Sequence, residues 1–148
     1  MQEKLARLIE CERIVRRAQA ERLRLMAGLN VDEWAVIDMA MALQLSLANA
    51  KCQVELASRA VGMFPDVVDA LEAGVISEWS AQALVESTVG YREDVAQKAV
   101  SRTLETAEGR CTQQLRRSVQ GRLQRGDQEG HARRCSERRL GRNVDLLF

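Results

Sequence analysis

Proline occurs once in this chain, at position 65 of 148 residues, and glycine only nine times. These two residues interrupt regular structure most sharply, so a chain this poor in them favours long helices over a turn-rich β fold. Hydrophobic residues make up 46% of the chain and aromatics only 3%, so a core has to be assembled from Leu, Val, Ala, Ile and Met. A chain of this length suits one compact domain, which buries roughly two-thirds of the surface its unfolded form exposes. The expected fold class is all-α: a single-domain bundle of about seven helices, with a helix-turn-helix-like pair and a short C-terminal strand.

Periodicity divides the chain into a long N-terminal amphipathic helix within residues 1–30, a helical core over 31–108, and Arg-rich helices with a terminal strand over 109–148 of the same domain. In the first helix Leu8, Cys11, Val15, Ala18, Leu25 and Leu29 follow a 3-4 spacing that Arg22 interrupts, with Arg13, Arg16, Arg17 and Arg24 opposite. This predicts an apolar seam and a basic, solvated outer side; the seam also permits pairing with a second helix. Asp32, Ser46 and Ser77 are candidate N-caps, Pro65 suits a first helical position, and Gly62 and Gly74 are candidate stops. Trp34, Ile37 and Met41 share a face, Trp79, Ala83 and Leu84 fall in a later helix, and Val95, Ala99, Val100 and Leu104 in the next. Thr112 is read as the cap of a basic helix with Leu115, Val119 and Leu123 as its seam. Asp127 is read as opening a last short helix, and NVDLLF as the start of a strand.

A formal net charge of +1 conceals an uneven distribution. Residues 1–29 hold seven basic against four acidic residues, residues 30–100 four against eleven, and residues 101–148 eleven arginines against six acids. Any nucleic-acid footprint therefore belongs at the ends of the chain. The segment ALQLSLANAKCQVELASRA, residues 42–60, has the outline of a helix-turn-helix, with Leu47, Asn49, Lys51 and Gln53 where base-reading side chains would lie. Lys51 is the one cation between Met26 and Ser58, among Asp32, Glu33, Asp38 and Glu55. Affinity for DNA comes largely from phosphate neutralisation, so this pair reads better as packing than as a reader.

Histidine occurs once, at 131, and no Gly-rich phosphate loop is present. Acid–base pairs, nucleophile–base pairs and most metal sites draw on histidine, so the expectation is a chain with no catalytic residues, cofactor or metal of its own. Asp127, His131 and Cys135 share a helical face and Cys111 could join them. A solvated helix is the preferred reading over zinc, because single i+4 steps are not a dedicated ligand motif. Four cysteines without a CxxC pair read as free thiols in a helical core. No apolar run approaches the ~18 residues of a membrane span, and the charged N-terminus lacks a signal-peptide segment, so a cytoplasmic protein without a membrane partner is expected.

Several blocks carry a resemblance: Leu45-Ser46 between Ala-rich helices, Ala57 and Ala60, Phe64-Pro65, Ala70-Leu71-Glu72-Ala73-Gly74 with Ile76-Ser77, Ala81, and a helix ending in Thr88. Thr112, Leu115 and Arg116, then Arg139, Arg142 and Val144, continue it. Together they resemble the actinobacterial helical domain of unknown function that precedes HNH endonuclease domains, including mycobacterial repeat-family members. The resemblance implies a non-catalytic accessory module. The nuclease of such proteins lies in a separate C-terminal domain whose paired histidines this sequence does not contain, which suggests a truncated or stand-alone copy. The expected function is non-specific association with duplex DNA through Arg116, Arg117, Arg122, Arg125, Arg133, Arg134, Arg138 and Arg139. The alternative is a protein-interaction or oligomerisation module, a homodimer through the N-terminal helix.

Overall fold

The computed structural model describes residues 1–29 and 31–145, with side chains as far as residue 128. Among the described residues the chain is all helical: α1 (Gln2–Ala27), α2 (Glu33–Ala42), α3 (Leu47–Met63), α4 (Pro65–Glu72), α5 (Glu78–Ser87), α6 (Glu93–Glu105) and α7 (Thr112–Asp145).

Side-chain chemistry sets most of the boundaries. The Asp32 carboxylate accepts from the Trp34 N–H, Ser46 Oγ from Asn49 and Ser77 Oγ from Ser80, each satisfying a donor that the first turn leaves free. Pro65 opens α4 at a position that needs no N–H. The same proline ends α3, because it holds the preceding Phe64 in a non-helical conformation (φ −131°). Gly62 is therefore not the stop; α3 runs past it to Met63. Gly74 does end α4. Val75 N–H donates to Ala70 O at 2.9 Å and Gly74 N–H to Leu71 O at 3.1 Å, with Gly74 at φ +80°, the paired closure that favours glycine.

The helices enclose two adjoining cores. The larger gathers Phe64, Val67, Val68 and Leu71 from α4 and its lead-in, Leu84 and Val85 from α5, Val100 from α6, and Leu115, Val119 and Leu123 from α7. The smaller joins Met26 of α1, Val36, Met39 and Ala40 of α2, and Ala50, Val54 and Ala57 of α3. Leu23 of α1 packs against both. Packed pairs include α1 with α3 and α4, α2 with α3, and α7 with α5 and α6.

Several expectations are corrected by this packing. Most of the predicted seam of α1 faces solvent: Leu8 is 64% exposed, Val15 45% and Leu25 67%, with Cys11 and Ala18 also exposed, and only Leu29, just past the helix, packs half-buried against the smaller core. The helix meets the body through Ala20, Leu23 and Met26 instead. Its arginines are not a uniformly solvated outer side, since Arg16 donates to the Gly74 carbonyl at 2.8 Å and Arg24 reaches Asp69 and Glu72 of α4. In α2 the buried face is Val36, Met39 and Ala40, leaving Trp34 and Met41 outside; Trp79 of α5 is likewise outside. Cys11, Cys52 and Cys111 are exposed thiols, not core residues.

The largest correction concerns α7. Asp127 opens no new helix, and Asn143, Val144 and Asp145, read as strand, belong to α7; the last three residues of that strand lie outside the described residues. The helix passes through Gly126 because that glycine is a packing contact. A Cβ there would stand 2.9 Å from Val95 Cγ1 on α6. Gly126 thus extends the inward face of Leu115, Val119 and Leu123 by one more turn.

Candidate functional site

Of the eight arginines expected to meet phosphate, Arg116, Arg117 and Arg125 are exposed on α7. Leu115, Val119 and Leu123 bury one side of the helix completely. At about 100° per residue, Arg116, Arg117 and Arg125 span the other side, together with Gln113, Gln120 and Gln124. No acidic residue occurs between Thr112 and Gly126. Arg116 and Arg117 have no ion-pair partner among the described residues, and Arg125 Nε donates to its own helix at Gly121 O, 3.2 Å away. Arg122 differs: it lies at the edge of the packed face, and its Nε is buried without a hydrogen-bond partner. Arg133, Arg134, Arg138 and Arg139 lie on the C-terminal part of α7, and their side chains fall outside the described residues.

The contrast with α1 is informative. Arg13 lies 3.6 Å from Glu10, Arg16 3.1 Å from Glu12, and Arg24 2.6 Å from Glu72 and 3.1 Å from Asp69. The Arg24 pKa is raised, chiefly by its hydrogen bond to Glu72, with Asp69 adding a smaller pull against partial burial. Three of the seven basic residues of α1 are thus engaged by carboxylates within the fold, whereas among the described residues Arg116 and Arg117 of α7 meet none.

The α2–α3 pair offers little as a reader. Gln53 donates to Asn49 Oδ1 at 3.2 Å and accepts from Arg22 at 3.2 Å. The two amides that could address adenine are therefore bonded to each other and to α1, in an acidic neighbourhood. The turn between the helices places Gln44 at φ +58°, closing α2 with Leu45 N–H on Ala40 O at 2.8 Å.

One cleft, of about 540 Å³, opens where α1 passes the N-terminal ends of α5 and α7. Arg13, Arg16, Arg110, Glu108, Ser77, Ser80, Cys111 and Thr112 are among its lining. Nothing in the local sequence announces it, since these residues are up to about a hundred positions apart. Its hydroxyls have structural work. Ser77 Oγ bonds Ser80 Oγ at 3.1 Å, and Ser80 Oγ meets Thr112 Oγ1 at 2.8 Å, tying the start of α5 to the start of α7. The Gln114 side chain accepts from the Cys111 N–H at 2.9 Å, so that end of α7 is capped by a glutamine reaching back. Three guanidinium groups line the cleft, but Glu108 and the partners Glu10 and Glu12 balance them. Among the lining residues there is no imidazole to take a proton from a hydroxyl or the thiol.

Among the described residues no group of His, Cys, Asp and Glu is placed to hold a metal ion. Cys111 cannot join Asp127, because sixteen residues of helix separate them, about 24 Å along the axis. The side chains of His131 and Cys135 lie outside the described residues. No described helix is long and apolar enough to cross a membrane. No protein-family model, curated protein or solved structure matches the chain.

Proposed function

We propose that this chain is a non-catalytic helical module that associates with duplex DNA through α7 without reading its sequence. The observation that carries the reading is the outer side of α7, where Arg116 and Arg117 stand exposed, without a carboxylate partner among the described residues, on a stretch without acids. Such cations displace counterions from phosphate, and the surrounding glutamines can donate to the same oxygens. The resemblance to the domain preceding HNH nucleases is in keeping with it, since a module attached to a DNA-cutting domain has two natural roles, holding DNA or assembling the protein. No residue takes a catalytic role in this reading.

The test is a gel shift of duplex DNA over a salt series. Binding at low salt is expected to fall steeply with added salt and to vary little with sequence. Changing Arg116 and Arg117 together to Ala removes about two phosphate contacts, so the log–log salt slope drops by roughly 1.8. No binding at low salt, or a double variant that binds as well as the native chain, refutes it.

A second reading has its own observation. The exposed apolar seam of α1 suits association with another protein, because large apolar side chains in a row are rarely left to water on a monomer. The two readings use opposite ends of the chain and do not compete.

A further inference from the structure

We infer that α1 pairs antiparallel with α1 of a second copy of this chain, along the seam that the fold leaves uncovered; the inference rests on the association reading of α1.

The seam has a seven-residue repeat. Leu8, Val15 and Arg22 occupy one position of the heptad, and Cys11, Ala18 and Leu25 the other. That alternation of three and four residues makes a stripe able to mesh with a like stripe. It is not the stripe by which α1 joins its own body, because Ala20, Leu23 and Met26 do that. Leu5 and Ile14, also exposed, border the seam and widen it.

Charge decides the orientation. In a parallel pair in register, Arg22 faces Arg22 of the other copy and Lys4 faces Lys4, so like charges meet inside or beside the seam. Reversing one helix removes both conflicts. With residues summing to 33 placed level, Leu8 meets Leu25 of the second copy, Val15 meets Ala18, and Cys11 lies level with Arg22. Arg22, whose guanidinium also donates to Gln53 of α3, then stands beside Glu12 of the other copy, which already accepts from Arg16 and has a second oxygen for this opposite charge. Each contact occurs twice, as a twofold pair requires. The bulky leucines fall at the ends of the overlap and Val15 and Ala18 at its centre, so the two helices can approach closely.

The experiment uses the full chain with Cys11, Cys52, Cys111 and Cys135 changed to Ser, after its helicity is shown to match the native protein. Light scattering is expected to report a dimer. Leu25→Asp, at a site exposed in the fold, is expected to keep the helicity and weaken self-association by more than about tenfold. Leu8→Cys and Leu25→Cys are then made separately in the cysteine-free chain and oxidised alone and mixed. The antiparallel pair predicts a disulfide dimer in the mixture and little in either sample alone. A native chain that stays monomeric at high concentration overturns this inference and leaves the association reading only with a different protein as partner. A dimer that survives Leu25→Asp, or Leu8→Cys chains that cross-link to themselves, overturns the antiparallel seam and leaves the association reading standing.

Discussion

Two residues in left-handed backbone make a matched pair. Gly74 and Gln44 close α4 and α2 with the same arrangement of hydrogen bonds, at φ +80° and +58°. Glycine adopts that region freely; a residue with a Cβ is strained there by roughly 1–2 kcal/mol. Gln44→Gly is therefore expected to stabilise the chain by about 0.5–1 kcal/mol, and Gly74→Ala to destabilise it by about 1 kcal/mol. A Cβ at Gly74 would meet nothing closer than Arg13 Cγ at 3.7 Å, so the cost is conformational. Urea midpoints of the two variants check both signs. Caps at this scale were legible in the sequence: Asp32, Ser46, Ser77 and Pro65 act through their immediate neighbours, so local spacing was enough to place them. Gln44 was not legible, because glutamine carries no turn signature and its conformation is imposed by the helices on either side.

At the scale of elements, α7 depends on its first four turns. Leu115, Val119 and Leu123 are fully buried between α5 and α6, and Ser80 and Thr112 join its start to α5. Leu123→Ala leaves a cavity in a core with little else to fill it and is expected to cost about 2–5 kcal/mol, read from thermal or urea unfolding. The ion cluster of Arg24 with Glu72 and Asp69 fastens α1 to α4. A cation whose pKa is raised on folding contributes stability that is fully present below its unfolded value and lost only above the folded one. For an arginine that window lies far above neutrality. Between about pH 7 and pH 10 its contribution is therefore expected to stay constant, while added salt weakens it. Denaturant titrations at two pH values and two salt concentrations separate these. The periodicity of α6 and of the first turns of α7 was readable because their inward faces repeat regularly. The inward face of α2 was not legible, because the stripe of Trp34, Ile37 and Met41 competes with that of Val36, Met39 and Ala40, and the fold leaves Trp34 74% exposed.

For the whole molecule, α1 and α3 are the elements that both cores share. Leu23 and Met26 complete the packing against α2, α3 and α4, so removing residues 1–31 is expected to abolish cooperative unfolding. Removing residues 1–9 alone deletes only exposed side chains and is expected to leave the melting temperature nearly unchanged, while taking Leu8 out of the proposed pairing seam. Circular dichroism melts of the two truncations show whether α1 is an appendage or a wall of the domain. Arg116 and Arg117 of α7, without an ion pair among the described residues, and the uncovered seam of α1 leave one module with two separate outer surfaces, one polar and one apolar.

The sequence by itself determined the helical class, most helix boundaries and where the surplus of positive charge lies. Those depend on proline and glycine content, on caps acting across a few residues, and on simple counting. Tertiary structure decided which stripe of each helix is the inside. In α1 two stripes are available, and the one with the better apolar spacing lost, because Ala20 and Met26 fit closely against α3 and α4 while Arg16 and Arg24 gained partners beside them. It also decided which of the described arginines meet carboxylates and which do not. Neither outcome can be read from a single helix, because each is set by the partner that the fold brings against it.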